Sequence, residues 1–309
     1  MKIWDVTVVG EVFADHVLSG FESWPKPGEE VVTDRYTREV GGGAAITACG
    51  LSRLGRSVNL VAVIGATDDG WFEQRLGEFG VGALGLRKVD GHTGITISVS
   101  TAADRSFFTH AGANRRLAEE LHKPDALAQL MQARHVHFAM PLDRVLATKL
   151  LTALAAAGCT SSLDVGFQPQ WLRDAANLNT CREVDYLLPN EKEAALLCGS
   201  DAPEEFFAFA RNARLRGCAL KLGARGAMSL ERETVRSVAA PPVAAIDPTG
   251  AGDAFDAGFI DALLDDAGVE ERLRRACICG ALSTRCAGAL AGLPERAELW
   301  KVYETTYGS

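Results

Sequence analysis

Asp247-Pro248-Thr249-Gly250-Ala251-Gly252-Asp253-Ala254-Phe255-Asp256-Ala257-Gly258-Phe259 reads as a tight turn that runs directly into a helix. One proline and two glycines suit the turn. Phe255, Phe259 and Leu263 then recur every fourth residue, the spacing of one helical face. The first N–H groups of such a helix have no partner within it, so its start attracts anions. With no side chain larger than a methyl at Gly250, Ala251 and Gly252, a phosphate can come close to the backbone. Asp253 falls in the first turn, where the macrodipole favours its ionised form. A carboxylate beside a phosphate cradle is repelled by the anion unless it has a use. Accepting the proton of a hydroxyl nucleophile during phosphoryl transfer is one such use. A helix-capping Asp after a glycine turn fits the same residues, so the residues alone leave both readings open.

Outward from this turn, short apolar runs alternate with helical patterns. Ile3–Val9, Val58–Ile64, His135–Met140, Thr160–Asp164, Tyr186–Leu188 and Ala219–Leu222 read as strands. Ala44–Leu54 and Gly70–Phe79 read as helices. Buried strands separated by helices predict an α/β fold with a mainly parallel sheet covered on both faces. Two segments break the alternation. Residues 12–40 hold Pro25, Pro27 and Gly28 between β-prone pieces, and residues 93–110 alternate in polarity through Thr96-Ile97-Ser98-Val99-Ser100. They are expected to form a small antiparallel β-layer, which in an α/β protein often covers an active site. No repeat or Pro/Ser-rich linker divides the 309 residues, so 1–309 is expected to be a single domain.

Composition narrows the partners. There are 32 Lys and Arg against 40 Asp and Glu, a net charge of −8, which argues against nucleic acid and anionic membranes. No apolar run reaches the roughly 18 residues of a membrane helix, and the first ten residues lack a signal-peptide layout, so a cytoplasmic location is expected. The eight Cys are scattered without a C-x-x-C, which favours reduced, buried thiols. Gly is 31 of 309 residues, against ~7% in typical proteins. This excess suggests loops where backbone must approach a ligand.

The thirteen residues from Asp247 to Phe259 resemble the C-terminal signature of the ribokinase-like carbohydrate kinases, the phosphofructokinase B family. Further matches follow in order along nearly the whole chain. Val9-Gly10-Glu11 with Asp15 resembles the family's first strand and its substrate-binding Asp. Gly41-Gly42-Gly43-Ala44-Ala45, ending in Arg53-Leu54-Gly55, resembles the N-terminal signature. Gly65 with Asp68-Asp69-Gly70 resembles the next strand–helix turn, and Arg105-Ser106-Phe107 and Gly112-Ala113-Asn114 resemble the lid region. Pro189-Asn190-Glu191-Lys192-Glu193-Ala194 resembles the Asn-x-x-Glu segment, and Lys221-Leu222-Gly223-Ala224-Arg225-Gly226-Ala227 the nucleotide-binding turn.

The resemblance implies a three-layer α/β/α domain with a small β lid, ATP and Mg2+ as cofactors, and phosphorylation of a sugar hydroxyl. It implies Asp253 as general base and the N–H groups of Gly250, Ala251 and Gly252 as the anion hole. Asn190 and Glu193 would arrange magnesium, phosphate and ordered water, with Glu193 reaching the metal through water. Lys221, Gly223, Gly226 and Thr249 would lie along the ATP site, and Asp15 with Gly41, Gly42 and Gly43 would hold the sugar. Asp247 and Thr249 match positions near a monovalent-cation site, K+, in some members. Some members pair their lids, which implies a homodimer.

Three positions, in two places, depart from the family pattern. Ile46 stands seven residues before Arg53, where an Asn often touches the sugar, and an alkyl group makes no hydrogen bond. Thr47 is adjacent but is expected to point elsewhere on a helix. Gly166 and Gln168 replace the Asn and Arg of an Asp-x-Asn-x-Arg run that here begins at Asp164, so a guanidinium suited to acidic sugars is absent. The expected substrate is therefore a non-standard hydroxyl compound, with Thr96, Phe107 and His110 as further lid candidates. A nucleoside kinase is the alternative, with Phe13, Trp24 and Phe108 as its purine slot. A silent ligand-binding or regulatory protein is the alternative outside enzymes.

Other signals are weaker. Gly80-Val81-Gly82-Ala83-Leu84-Gly85 has the dinucleotide-binding spacing but follows a helix instead of a strand. No Walker-type phosphate loop occurs. His135 and His137 share a strand face without a nearby third ligand, so strand-end residues read better than a metal site. Asp265-Asp266 reads as helix-end charge, and Arg272, Arg274 and Arg275 as an exposed helix face.

Overall fold

The computed structural model describes residues 2–68, 70–101, 105–231 and 233–308. Asp69 of the Asp68-Asp69-Gly70 turn, residues 102–104 of the 93–110 segment and the Arg105 side chain lie outside the described residues. The chain begins with β1 (Trp4–Gly10), β2 (Phe13–Phe21), β3 (Arg35–Gly41), α1 (Gly43–Arg53), β4 (Val58–Gly65), α2 (Trp71–Glu78), β5 (Gly82–Val89), β6 (Gly94–Thr101) and β7 (Arg105–His110). It continues with α3 (Leu117–Leu121), α4 (Pro124–Leu130), β8 (Ala133–Ala139), α5 (Arg144–Ala156), β9 (Thr160–Asp164), α6 (Pro169–Arg173), α7 (Leu178–Glu183), β10 (Tyr186–Leu187), α8 (Glu191–Cys198) and α9 (Pro203–Ala213). The last elements are β11 (Gly217–Lys221), β12 (Ala227–Glu231), β13 (Thr234–Val238), α10 (Ala251–Leu264), α11 (Val269–Ser283) and α12 (Arg296–Tyr307).

Nine strands form the main sheet in the order β13-β12-β11-β10-β9-β8-β1-β4-β5. The run from β5 to β11 is parallel, and β12 and β13 add antiparallel pairs at one edge. The alternation of side chains explains the layers. Val9, Val136, Phe138 and Leu163 pack with α3 to α9 on one face. Val6, Val8, Leu60 and Ala62 pack with α1, α2 and α10 on the other. The result is the expected three-layer α/β/α arrangement. Strand order reverses at β1, which pairs with both β4 and β8. A crevice at such a switch point, beyond the carboxyl ends of the strands, is where α/β sheets bind ligands.

The two segments that break the alternation form the second sheet, ordered β3-β2-β6-β7. It consists of two antiparallel pairs joined by a parallel pairing of β2 with β6. The dinucleotide-like glycine run enters edge strand β5 and opens no helix. The Arg cluster on α11 departs from the reading of an exposed face. Arg275 is 4% exposed and pairs with Asp261, Asp265 and Glu271. Asp265 thereby also loses its role as plain helix-end charge, since Arg56 binds it as well.

Candidate active site

Two helix starts meet at the carboxyl edge of the main sheet. Gly250 caps α10 in the left-handed region at φ 76°, and α1 begins after Gly42. The helices touch along small residues. A Cβ on Gly43 would lie 2.7 Å from Asp253 Oδ1, and one on Gly250 would lie 3.2 Å from Ile46. Thr47 donates from Oγ1 to the Asp253 carbonyl at 3.2 Å, within the contact of α1 with α10. Ile46 is 5% exposed and spends its side chain on packing against the Gly250 turn. Both helix dipoles therefore place their positive ends beside Asp253.

That field does not settle the state of Asp253. Burial lifts its carboxyl to about 7, and the Asp164 charge adds to the rise. The expectation of an ionised group thus meets a carboxyl held near the middle of its titration at neutral pH. The physical reason is that desolvation and negative neighbours outweigh a helix terminus. Of the three hole amides, that of Ala251 donates to Pro248 O at 3.2 Å, so the turn itself occupies part of the expected cradle.

A cavity of about 740 Å³ opens beside this turn. Asn190, Glu193, Lys221, Gly223, Gly226, Ala251, Gly252 and Asp253 line it. Its far end is apolar, with Pro241, Pro242, Val243 and Ala281. Thr249 and Asp247 stand behind the turn. Asp247 Oδ1 accepts from Thr249 N at 3.0 Å and Thr249 Oγ1 at 2.6 Å, and its Oδ2 accepts from Gly288 N at 2.9 Å. Asp247 therefore ties the turn to the loop at Gly288.

Asn190 and Glu193 form a reciprocal cap on α8. Asn190 Oδ1 accepts from Glu193 N at 3.0 Å, and Glu193 accepts from Asn190 N at 2.8 Å and Asn190 Nδ2 at 2.7 Å. Such a box stabilises a helix start whether or not a ligand binds. Burial and the Asp164 charge raise the Glu193 carboxyl to about 7. Lys221 was expected along the ATP site. It lines the cavity floor, but its ammonium is bound by Asp164 Oδ2 at 2.6 Å and Asp256 at 3.1 Å. Burial alone would lower the Lys221 pKa, yet the charges of Asp164 and Asp256 raise it. The same ammonium holds Asp164 at about 2 despite burial. Asp256 was missed in the sequence. It lies one turn below Asp253, the lone charge between Ala254, Phe255 and Ala257.

The residues expected to hold the sugar gather on the other side of the β3–α1 turn. A Cβ on Gly41 would fall 1.9 Å from Asp15 Oδ2, so only glycine leaves room for that carboxylate. Burial lifts Asp15 to about 6, while a hydrogen bond from Thr96 opposes the rise. Gly42 lies between, its missing Cβ facing Glu11 O. Register puts Phe13, Glu39, Thr96 and Phe107 on the Asp15 face of the small sheet. It puts Phe108 and Ile97 on the opposite face, where Trp24 meets Phe108 edge-on at 6.0 Å. The expected purine slot of Phe13, Trp24 and Phe108 is therefore split between two faces. His110 pairs with Ile95 and is exposed. The His pair is not at a strand end either. His135 and His137 are fully buried within β8 and bonded to Thr160 and Ser162.

A family model described as pfkB family carbohydrate kinase matches residues 5–296. The ribokinase of Haemophilus influenzae is 28% identical over 307 residues, covering 97% of this chain and 98% of the relative. An ATP-dependent ribose-1-phosphate kinase of Halopiger xanaduensis is 32% identical over 263 residues, covering 82% of this chain and 84% of the relative. Among solved structures, a ribokinase of Arabidopsis thaliana complexed with ribose and ATP superposes with a TM-score of 0.85 at 25% identity, over 98% of this chain and 99% of that one. With the Gly250–Asp253 turn and its cavity in place, the chain belongs to the pfkB family of carbohydrate kinases, phosphotransferases with an alcohol group as acceptor.

Proposed function

We propose that this kinase transfers the γ-phosphoryl group of ATP to a hydroxyl of a small neutral carbohydrate, with Asp253 as general base. One observation carries the reading: Asp15 and Asp253 face Gly41 and Gly43, two residues apart on one turn. Those glycine Cα atoms are separated by at most about 7 Å, so both carboxylates stand against one short turn, where a small acceptor can meet both. Asp15, aided by Thr96, binds hydroxyls at one end. Asp253 takes the proton of the hydroxyl at the other end. As the new P–O bond forms, the bond from the γ-phosphorus to the bridging oxygen breaks and ADP leaves with that electron pair. The backbone of Gly250, Ala251 and Gly252 is the proposed cradle of the transferred group, with Ala251 and Gly252 on the cavity wall, and the apolar end at Pro241, Pro242 and Val243 suits the base of the nucleotide.

Magnesium fits the acidic cluster. The cavity holds Asp164, Glu193 and Asp253 around one ammonium already bound by carboxylates, and the raised Glu193 is a group that a cation would return to its ionised form. Glu193 through water, with Asn190, would hold the ion. When bound, Mg2+ neutralises phosphate charge. Asp247, bonded to three donors behind the turn, is the proposed neighbour of K+. The lid role belongs to the β3-β2-β6-β7 sheet. Its exposed Trp24, Ile97 and Phe108 face away from Asp15 and form the proposed homodimer contact. Light scattering at micromolar concentration should give twice the chain mass, and a monomer mass rejects the dimer.

An ADP-release assay over neutral sugars, sugar acids and nucleosides tests the function. Turnover should be fastest with a neutral sugar, because no guanidinium stands at Gly166 or Gln168 to pair with an acid. Inosine as the best acceptor would favour the nucleoside alternative. Thermal stabilisation by a sugar without ADP release would favour a silent binding protein.

A further inference from the structure

A polar seam crosses the core beneath α10. On this face of the sheet, the apolar residues fall into two clusters. One gathers Val6, Val8 and Leu60 with α1, and the other gathers Leu188, Ala219 and Phe259 with α11. Between them run His135 and His137 from β8, Ser162 from β9, Lys221 from β11 and Asp256 from α10, all less than a tenth exposed. Burying this many polar groups is costly unless each is bonded. The bonds form one chain. Thr160 Oγ1 lies 2.8 Å from His135 Nδ1, His135 Nε2 lies 2.8 Å from Ser162 Oγ, and Ser162 Oγ lies 2.8 Å from His137 Nδ1. His137 Nε2 is buried without a hydrogen-bond partner and faces Asp256 Oδ2 at 3.9 Å. Asp256 shares a hydrogen bond with Asp164, and the carboxylate oxygens of Asp164, Asp253 and Asp256 lie within 4.8 Å of one another. Thr160, at the opposite end, is exposed at the amino edge of the sheet.

We infer that this chain is a proton exit from the catalytic carboxylate to the far side of the sheet, and the inference rests on Asp253 being the base. Phosphorylation of an alcohol by ATP at neutral pH releases a proton, which must leave a site closed by nucleotide and sugar. The hydroxyl proton moves to Asp253 and then to the Asp164–Asp256 pair. Asp256 passes a proton to His137 Nε2 while His137 Nδ1–H goes to Ser162 Oγ. The Ser162 proton goes to His135 Nε2, and His135 Nδ1–H goes through Thr160 to water. Each residue gains one proton and loses one, and each ring passes from its Nδ1–H to its Nε2–H form.

One set of donor directions serves the whole route. With its hydroxyl turned to Arg134 O, 3.5 Å away, Thr160 Oγ1 accepts from His135 Nδ1–H. His135 Nε2 must then accept from Ser162, and Ser162 must accept from His137 Nδ1–H. That leaves the bare His137 Nε2 facing Asp256, whose burial raises its pKa well above the ordinary range and disposes it to take the proton handed on from Asp253. Burial also keeps both rings neutral, His135 at about 4 and His137 at about 3, despite Asp185 near the first and Asp164 near the second. Lys221 and the neighbouring ring oppose a charge on His137 as well. Neutral rings relay protons without storing charge. The gap to Asp256 closes with a movement of about 1 Å.

Two measurements test the route. With isotope-labelled histidine in the free enzyme, imidazole nitrogen shifts should show both rings neutral with the proton on Nδ1. A proton on His137 Nε2 overturns the proposal, and this readout needs no turnover. In single turnovers with ATP and D-ribose, or the panel sugar that reacts faster, a pH-indicator dye follows the proton and quenched samples follow ADP. In the parent the proton should reach solution with phosphoryl transfer, before products leave. In Ser162→Ala it should lag about tenfold, to the time of product release, and Ser162→Thr should restore it. Should Ser162→Ala fail to fold, Thr160→Val, at the exposed end, should give the same lag. A parent proton that waits for product release, or a Ser162→Ala proton on the parent schedule, overturns the route. Failure of Asp253 as base shows separately, as parent-like kcat in Asp253→Asn.

Discussion

The Gly250 turn and the small sheet, proposed to meet one substrate, are built under different constraints. At the turn, backbone geometry fixes the chemistry: a left-handed Gly250, small residues against α1, and a carboxyl one step into α10. At the small sheet, individual side chains set what is bound, and few are pinned. Asp15 has a tight seat against Gly41, but Phe107 and Phe108 are each 56% exposed. A transferred phosphoryl group is the same for every member of a kinase family, whereas the acceptor differs. The Gly250 turn keeps the family's pattern, and the departures fall outside it, at Ile46 of α1 and at Gly166 and Gln168 after β9.

Removing the base should have the largest effect. Asp253→Asn keeps the size of the side chain but cannot take a proton, and kcat should fall by about 10²–10⁴ with the melting temperature little changed. A kcat within about threefold of the parent would break the assignment of chemistry to the turn.

Paired glycine variants separate the halves. A methyl at position 41 would sit 1.9 Å from Asp15 Oδ2, and one at position 43 would sit 2.7 Å from Asp253 Oδ1. Gly41→Ala should raise KM about ten- to a hundredfold, the worth of a hydrogen bond to a charged group, with kcat less affected. Gly43→Ala should lower kcat by a similar factor. If both variants moved the same constant, the division between binding and chemistry would fail.

Most of this division is legible in the sequence because it is carried by local spacing. Pro248 and the glycines announce the turn, the four-residue recurrence of Phe255 and Phe259 announces the helix, and alternating polarity announces β6. What the spacing does not carry is which charges share a low-dielectric space. Asp164, Lys221 and Asp256 come from β9, β11 and α10, more than thirty residues apart in each pair, and only the sheet order brings them together. The same long-range placement turns His135 and His137 from a strand-end pair into core residues. It also turns the Asp253 expectation around, since a helix start favours ionisation while Asp164 and burial oppose it.

The pH profile reads that opposition. With Asp253 raised to about 7, the free enzyme loses its base as pH falls below that value. Going from pH 8 to pH 6 should lower kcat/KM about tenfold, because a base acts only in its deprotonated form. A flat profile over that interval would mean that the base is ionised throughout, as an ordinary Asp would be.

Ile46 offers the smallest effect and the sharpest question, since it belongs to both halves. Its side chain packs 3.2 Å from where a Cβ on Gly250 would lie, so it supports the turn from the position where the family pattern has an Asn. Ile46→Asn would restore a polar group but place it 5% exposed against that turn. One neutral hydrogen bond gained is worth about two- to tenfold in KM for a sugar with a hydroxyl facing position 46, and an unsatisfied buried amide costs about 1–3 kcal/mol of stability. If KM for a common sugar falls while the melting temperature drops, Ile46 trades sugar contact for support of the turn. If stability falls without any gain in affinity, the residue serves the turn alone, and specificity in this chain rests on Asp15, Thr96 and their face of the small sheet.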